Sequence, residues 1–318
     1  MKLVTYRGVG ARPTLGALVD GERAILDLQA AQTATSGGGH PALENMQALI
    51  EGGEAAWDLA RSLVAAPAAG ACTPVTGPGQ LLAPLPRPVQ VRDCLCFKDH
   101  LLGAAWHRAR NEGRTELTAA DEARVALIMG RPYWYNCNRM SIIGPDETVH
   151  WPSYSNVIDY ELEMAVVLGK GGVNIPAASA RSHIFGYSIY NDFSARDVQT
   201  DEMATGIGPS RSKHFDGGNG LGPCIVTADE FDPYNARTVV RVNGDVVAEN
   251  NTGTITIDFE TLISFVSTDQ TLFPGEILCS GTVGGGCGLE RGEFLQRGDT
   301  IELEIEGIGR LRHTIAMA

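Results

Sequence analysis

The sequence lacks several features that would place it in a specialised class of protein. It has no run of about 18 consecutive apolar residues, which is the length that a membrane-spanning helix needs. Its 25 lysines and arginines are outnumbered by 38 aspartates and glutamates, and they form no long basic run. The net charge of −13 makes nucleic acid and anionic membranes poor partners. An anionic substrate would need a local metal ion or a few placed cations.

Paired cysteine motifs are also missing. The seven cysteines are an odd number and contain no C-x-x-C pair, and the first residues, MKLVTYRGVG, contain no apolar segment typical of a secretory signal. The pattern predicts free thiols in a reducing cytoplasm. We interpret Cys287 as inert, because the sequence offers it no matched histidine.

The first part of the chain has the pattern of a small mixed domain. Residues 1–30 alternate apolar and polar positions in short runs, which predicts strands. Residues 42–66 have apolar residues at helical spacing with a break at Gly52-Gly53, which predicts two short helices. The tract 67–88 is rich in alanine, glycine and proline, as a linker would be.

A chain of 318 residues is long for one hydrophobic core, because cores rarely grow beyond about 250–300 residues. We therefore predict two domains: a small α+β domain with its linker over residues 1–85, and a metal-dependent catalytic domain over residues 86–318.

The second part predicts a mostly antiparallel β structure with covering helices. Residues 100–113 and 118–129 are helical in pattern, and Thr118 is suited to a helix N-terminus. From residue 140 onward, short strands alternate with Gly, Pro, Asn and Asp. Asn243-Gly244 is a strong hairpin signal. The predicted fold class is mostly β with some α.

The segment IDYELEMAVVLG carries three carboxylates at alternate positions. On a strand, Asp159, Glu161 and Glu163 share one face, because successive side chains point to opposite faces. One explanation is a solvated edge strand. The other is a metal site, which Asp192 favours, since it follows the apolar run HIFGYSIYN and a buried carboxylate needs a partner. Oxygen ligands without a Cys/His cluster favour Mg²⁺, Mn²⁺ or Ca²⁺ over zinc.

Here the sequence resembles the fumarylacetoacetate hydrolase family. The likeness covers most of residues 90–315 and rests on RDCLCFKDH, DYELEMAVVLG, NDFSARDVQ, SKHF, FPGEILCSGTVG and GDTIELEIEGIGRLR. DYELEMA followed about 30 residues later by NDFSARDVQ is the most specific part. The resemblance implies a small β-rich N-terminal domain, a mixed β-roll catalytic domain, a homodimer and a bound Mg²⁺ or Mn²⁺, with Ca²⁺ as a substitute in crystals.

The resemblance also implies roles for individual residues. The implied metal ligands are Asp93, Glu161, Glu163 and Asp192. The implied catalytic residues are the water-activating His100 together with Arg196, Gln199 and Lys213, which would contact the reacting oxygens or the leaving carbanion. The implied substrate contacts are Tyr135 and Thr282.

Each of these roles has a plainer alternative. His100 could be an ordinary residue at the start of a helix, and Tyr135 a core residue. Arg196 could pair with Asp197 or another nearby acid, and Lys213 could be a surface residue of the loop 205–222.

The chain departs from the family pattern at three places. Fumarylacetoacetate hydrolases have a tyrosine where this chain has Leu95, and relatives that pair the histidine with a glutamate three residues later have Gly103 here instead. The family's acid after SGT is replaced by a glycine-rich stretch. Glu290 is the nearest acid, and the sequence gives no reason to assign it that role.

The resulting hypothesis is a divalent-metal-dependent hydrolase that cleaves a C–C bond in a 1,3-dioxo acid of the acylpyruvate, fumarylpyruvate or fumarylacetoacetate type. Water activated by His100 would attack one carbonyl while an enolate held by the metal leaves. One alternative is a decarboxylase, tautomerase or dehydratase of a 2-oxo acid that uses the same site. Another is a catalytically silent homologue that binds an oxo-acid or a metal.

Overall fold

Strands outnumber helices along the chain. The computed structural model describes residues 1–317. In that range the strands are β1 (Lys2–Arg7), β2 (Pro13–Val19), β3 (Ala24–Asp27), β4 (Cys72–Pro74), β5 (Leu81–Leu82), β6 (Val91–Cys94), β7 (Trp134–Asn136), β8 (Ile142–Ile143), β9 (Thr148–Val149), β10 (Ile158–Asp159), β11 (Glu161–Leu168), β12 (Ile184–Asp192), β13 (Ser194–Ala195), β14 (Asn219–Thr227), β15 (Arg237–Val242), β16 (Asp245–Asn251), β17 (Ile277–Cys287), β18 (Thr300–Ile305) and β19 (Gly309–Ile315).

The α-helices of the same range are short. They are α1 (Leu28–Ser36), α2 (Met46–Glu51), α3 (Gly53–Ala65), α4 (Lys98–Asn111), α5 (Ala119–Met129), α6 (Ala177–Ala180), α7 (Arg196–Ala204), α8 (Phe259–Val266) and α9 (Gly288–Arg291). No helix within residues 1–317 is long and apolar enough to cross a membrane.

A twelve-stranded sheet runs through the described residues in the order β4-β3-β2-β1-β14-β12-β11-β17-β6-β7, with β5 beside β1 and β8 beside β14. Its two halves join where β1 pairs antiparallel with β14, placing Leu3 opposite Ile225. The other described strands form a five-stranded sheet (β16-β15-β18-β19-β9) and the pair β10-β13. The predicted fold class, mostly β with some α, is confirmed.

The N-terminal predictions are largely confirmed. Strands β1 to β3 lie within residues 1–30, and α2 and α3 meet at the predicted glycine break, where Gly53 has a φ of 63°. The linker prediction for 67–88 is wrong in one respect: this tract contains β4 and β5, which pair with β3 and β1. Strand β4 forms the N-terminal edge of the sheet, whereas β5 lies beside β1. The boundary at residue 86 stays a prediction.

The predicted helices and the hairpin of the second part are also present. Helix α5 begins with a capping box, in which Thr118 and Asp121 each satisfy the other's backbone N–H. Asn243 and Gly244 have φ values of 53° and 90°, the positive angles that a type I′ turn needs between β15 and β16. The sequence does not predict helices α7 and α8. Each is only two to three turns long, which is too short for a clear helical periodicity among the surrounding strands.

Strand β11 lies at the centre of the large sheet and is buried along its whole length, between β12 and β17. Leu162, Met164 and Val166 face one hydrophobic cluster, whereas Ala165 and Val167 face a second cluster that includes α2 and α3. Glu161 and Glu163 continue the alternation of Ala165 and Val167 along the strand, so they lie on the same face as these two residues. The solvated edge strand is therefore wrong as an explanation of these carboxylates.

His313 is a buried histidine that couples folding to pH. It lies on β19, packs edge-on against Phe193, and donates from Nε2 to the carbonyl oxygen of Gly144 at 3.1 Å. Burial lowers the pKa of His313 from 6.5 to about 4. The folded protein therefore takes up this proton at a lower pH than the unfolded chain does.

We expect the free energy of unfolding to fall by up to about 3 kcal/mol from this residue as the pH is lowered from 6.5 to 4, because the unfolded chain is protonated first. His313→Gln can still donate to Gly144 and cannot be protonated, so it should lose this part of the pH dependence. Urea unfolding of both proteins at stepped pH measures the difference. An equal fall in both would contradict the assignment.

Candidate metal centre and its histidine dyad

Four carboxylates converge in the middle of the large sheet. Asp93 lies on β6, Glu161 and Glu163 lie on β11, and Asp192 ends β12; one oxygen of each lies within 4.8 Å of the others. These strands and β17 are consecutive neighbours, so the ladder brings together positions that are distant in sequence. All four residues are at most 5% exposed. The structure thus gathers the four predicted ligands at one point.

The carboxylate cluster fits a divalent cation. Asp93 Oδ1, Asp192 Oδ1 and both carboxylate oxygens of Glu163 have no hydrogen-bond partner among the described residues. Burial, followed by the charges of Asp93 and Asp192, raises the pKa of Glu163 well above its usual value. Buried carboxylates without partners are costly. A cation would remove that cost, and an all-oxygen donor set suits a hard ion such as Mg²⁺ or Mn²⁺.

Lys213 is part of this centre. It is 2% exposed, and its ammonium contacts carboxylate oxygens of both Glu161 and Asp192. The surface alternative for Lys213 is therefore wrong. Although burial opposes ionisation, Lys213 and Arg196 hold the pKa of Glu161 well below its usual range. Burial lowers the pKa of Lys213 itself, but Asp192 and Glu161 outweigh that effect and raise it.

Arg196 holds Glu161 in place. It begins α7, and its guanidinium donates to Glu161 Oε1 at 2.7 Å, to Asp159 Oδ2 at 2.7 Å and to Gln199 Oε1 at 2.8 Å. The alternative of a nearby acid is therefore correct in part, although the acid is not Asp197. Contacts of Arg196 and Gln199 with reacting oxygens stay predictions.

Asp159 does not join the carboxylate cluster, although it shares the alternating pattern. It lies on the separate strand β10, and it accepts the backbone N–H groups of Gly288 and Leu289 at the start of α9 as well as the Arg196 bond. The third carboxylate of the pattern therefore anchors the helix that carries Glu290.

His100 lies in the first turn of α4 and is 8% exposed. Its Nδ1 is 2.9 Å from Glu290 Oε1, and the second oxygen of Glu290 accepts the backbone N–H of Gly285 at 2.8 Å. With the proton on Nδ1, His100 donates to Glu290 and keeps the Nε2 lone pair free. The sequence did not assign Glu290, which is 190 residues from its partner.

Gly103 explains why the carboxylate comes from α9. A Cβ at this position would lie 2.5 Å from Glu290 Oε2, so the Glu290 carboxylate fills the space that a side chain one turn after His100 would occupy. Positions three apart on a helix are neighbours on its surface. Gly103 was thus the sequence signal for Glu290. Because position 103 carries no acid, the carboxylate that pairs with His100 can come from another element.

Tyr135 and Thr282 also lie at the centre. The Tyr135 hydroxyl donates to Asp192, and Thr282, on β17, pairs with Glu163 across the ladder and is 2% exposed. Tyr135 is therefore more than a core residue. Substrate contact by either side chain stays a prediction.

Cys287 is closer to the site than the sequence suggested. Its Sγ is 3.8 Å from His100 Nδ1 and 3.4 Å from Glu290 Oε1, and the residue pairs with Glu161 across the β11–β17 ladder. The view that no histidine matches it is wrong. Burial, followed by the charges of Asp159 and Glu290, raises the pKa of the Cys287 thiol well above its usual value, which disfavours a nucleophilic thiolate. In residues 1–317 all seven cysteines are free, as predicted.

The chain is similar to known proteins in both sequence and structure. Residues 104–316 match the model of the fumarylacetoacetate hydrolase C-terminal family. Over its whole length, the structure superposes on a fumarylacetoacetate hydrolase from Exiguobacterium antarcticum with a TM-score of 0.74, at 26% identity and covering 100% of both chains. A maleylpyruvate hydrolase from Sphingobium sp. SYK-6 shares the fold with a TM-score of 0.71 at 21% identity, covering 99% of each chain.

The sequence is also similar to curated proteins. It is 40% identical over 171 residues to a mitochondrial oxaloacetate tautomerase of Rattus norvegicus, which covers 53% of this chain and 54% of that protein. A mitochondrial oxaloacetate tautomerase of Homo sapiens matches to the same extent. The chain spans about half the length of these relatives. It belongs to the fumarylacetoacetate hydrolase family, as the motifs indicated.

If the four carboxylates bind a divalent cation, Glu163→Gln should weaken Mn²⁺ binding by at least about 100-fold, because it removes one charged ligand. In the wild type, Mn²⁺ at 100 times its Kd should stabilise the fold by about 2.7 kcal/mol, and the same Mn²⁺ concentration should stabilise the variant by at most about 0.4 kcal/mol. Calorimetric titration and thermal unfolding measure the two effects.

Glu202→Gln is the matched control. The Glu202 carboxylate accepts hydrogen bonds from Ser210, Arg211 and Ser212 and is not in the cluster, so this variant should bind Mn²⁺ as the wild type does. Full-strength binding by Glu163→Gln would contradict the assignment of the centre.

Proposed function

We propose that the protein is a divalent-metal-dependent enzyme that acts on a small oxo-acid through an enolate. The observation that carries this proposal is the position of the His100–Glu290 pair beside the carboxylate cluster. His100 contacts Cys287, and Cys287 pairs with Glu161 across the ladder. The proposed base and the proposed cation site would therefore be neighbours, which is the arrangement that enolate chemistry requires.

A divalent cation bound by Asp93, Glu161, Glu163 and Asp192 would polarise a substrate carbonyl and favour the enolate form of the acid. The Lys213 ammonium donates hydrogen bonds to two of these carboxylates, those of Glu161 and Asp192, and so lies beside the centre. Arg196 keeps Glu161 oriented through its bonds to Asp159 and Glu161. These carboxylates compensate the charges of Lys213 and Arg196, so the bound cation would have to supply the local positive charge that an anionic substrate needs in a chain of net charge −13.

The first candidate reaction is hydrolysis of a C–C bond in a 1,3-dioxo acid of the acylpyruvate or fumarylpyruvate type. His100 Nε2 takes a proton from water while Glu290 accepts the Nδ1–H bond and stabilises the charged ring. The hydroxide adds to one carbonyl, and the adjacent C–C bond then breaks with its electron pair on the enolate carbon. His100 returns the proton to that carbon, so one water is consumed and two acids are formed.

The second candidate is keto–enol tautomerisation of oxaloacetate or a similar 2-oxo acid. The names of the two mitochondrial relatives favour it, at 40% identity over about half of each protein. The same dyad would move a proton between carbon and oxygen without consuming water. Decarboxylation and dehydration use the same enolate and remain alternatives on this site, as does a silent binding protein.

Turnover of acetylpyruvate, fumarylpyruvate and oxaloacetate with Mg²⁺ or Mn²⁺ separates these reactions, with identification of the products. Two acids from a dioxo acid support the hydrolase, faster equilibration of oxaloacetate enol without loss of carbon supports the tautomerase, and CO₂ supports a decarboxylase. His100→Ala should lower the rate by about 10²- to 10⁴-fold in either of the first two cases. Metal binding without turnover of any of the three would favour the silent binder.

The position of the acid can be tested directly. Glu290→Gln should lower kcat with little change in KM, because it removes the charge that orients and supports His100 without touching the substrate. The double variant Gly103→Glu with Glu290→Ala moves the carboxylate to α4, into the space that Glu290 vacates, and should recover part of kcat. Glu290→Ala alone is the control. Wild-type kcat in Glu290→Gln would contradict a role for this acid.

A further inference from the structure

Residues 1–317 contain a second cluster of metal-ligating atoms, outside the four-carboxylate centre. It consists of His100 Nδ1, Cys287 Sγ and Glu290 Oε1, which lie within 4.8 Å of one another. The separations are 2.9 Å from nitrogen to oxygen, 3.4 Å from sulfur to oxygen and 3.8 Å from sulfur to nitrogen. The donor set of one nitrogen, one sulfur and one oxygen differs from the all-oxygen centre.

These separations fit a tetrahedral zinc ion. Zinc binds thiolate sulfur at about 2.3 Å, imidazole nitrogen at about 2.0–2.1 Å and carboxylate oxygen at about 2.0–2.2 Å. At tetrahedral angles these lengths place the ligand atoms about 3.3–3.6 Å apart. Each observed separation differs from its ideal value by about 0.5 Å or less. Mg²⁺ would be a poor occupant, because it disfavours sulfur and nitrogen ligands.

We propose that His100, Cys287 and Glu290 form a zinc site with a fourth position for water, and that zinc bound there inhibits the enzyme. Binding is independent of the function proposed above, whereas the inhibition rests on that function. The two sites would select their ions by donor type. The all-oxygen carboxylate centre would bind Mg²⁺, and the site with sulfur and nitrogen donors would bind Zn²⁺.

The charges and protons of the site balance. On binding, the Cys287 thiol loses its proton to solvent, and Zn²⁺ is neutralised by one thiolate and one carboxylate. The nearby Arg196 is already paired with Asp159 and Glu161, so its charge is compensated. His100 and Glu290 side chains remain 10% and 9% exposed, which leaves an edge through which an ion and its water ligand can enter.

Zinc would inhibit because it binds Nδ1 of the His100 ring. In the metal-free dyad, Nδ1–H donates to Glu290 and Nε2 carries the free lone pair. Zinc needs the lone pair of Nδ1, so the ring proton moves to Nε2. His100 can then no longer accept a proton from water or from a substrate carbon, and Glu290 is withdrawn from the dyad at the same time.

Cobalt is the probe for binding, because a thiolate bound to Co²⁺ gives an intense near-ultraviolet charge-transfer band and oxygen ligands do not. Co²⁺ is titrated into the full chain saturated with Mg²⁺. We expect a thiolate band that saturates at one equivalent, that added Zn²⁺ removes, and that Cys287→Ser abolishes. Cys224→Ser is the matched control, because Cys224 is equally buried, its Sγ donates to the carbonyl oxygen of Ile308, and it lies outside the candidate ligand clusters of the described residues. It should keep the band.

Two further variants guard against false interpretation. Glu163→Gln damages the carboxylate centre and should keep the band, whereas His100→Gln should weaken cobalt binding by more than about tenfold. Circular dichroism verifies that each variant is folded. The proposal is overturned if the folded wild type gives no band, if the band survives in Cys287→Ser, or if it disappears in Glu163→Gln, which would show that the cobalt site depends on Glu163.

The inhibitory role has its own test. With Mg²⁺ saturating, Zn²⁺ should inhibit turnover of the best substrate of the panel, and Cys287→Ser should need more than about tenfold more Zn²⁺ for the same inhibition. Equal sensitivity of the two proteins would overturn the inhibitory role. If no substrate of the panel is turned over, the function proposed above fails while the cobalt band still decides whether the site exists.

Discussion

The structure depends on the burial of a carboxylate cluster at the centre of a large sheet. Asp93, Glu161, Glu163 and Asp192 are at most 5% exposed, and Asp159 is buried beside them. The two buried cations next to these five acids, Lys213 and Arg196, neutralise only part of their charge. Charge buried in a protein interior is unfavourable unless it is compensated. A divalent cation bound to the unpaired oxygens of Glu163 and Asp192 would supply that compensation.

The same contacts that compensate the cluster also position the His100–Glu290 dyad. Arg196 joins Glu161 to Asp159, and Asp159 accepts the first N–H groups of α9. Helix α9 carries Glu290, which reaches His100 on α4. A continuous series of hydrogen bonds therefore connects the carboxylate cluster to His100. The two parts of the site are positioned by one network, so a change at Arg196 should disturb both.

Much of the fold and of the carboxylate centre could be predicted from the sequence. Alternation along β11 placed Glu161 and Glu163 on one face, and the apolar run before Asp192 indicated its burial. The linker tract was harder, because β4 and β5 are two or three residues long and their pairing with β3 and β1 leaves no local periodicity. Helix α7 has a polar sequence whose position is fixed by Arg196 rather than by an apolar stripe.

The dyad could not be predicted for a different reason. Glu290 and Cys287 meet His100 across 190 and 187 residues, through the pairing of β17 with β11 and the packing of α4 against it. No local pattern records such a contact. Gly103 is the one trace in the sequence, and its meaning is clear only when the carboxylate that fills its space is known. The burial of Lys213 in a glycine-rich segment is likewise a product of tertiary structure.

The central claim is that the four buried carboxylates bind a divalent cation next to the His100–Glu290 dyad. Anomalous diffraction from crystals soaked in Mn²⁺ tests it most directly. The account predicts one strong anomalous peak within bonding distance of oxygens from Asp93, Glu161, Glu163 and Asp192. A well-ordered centre without a peak, in crystals that bind Mn²⁺ elsewhere, would contradict it.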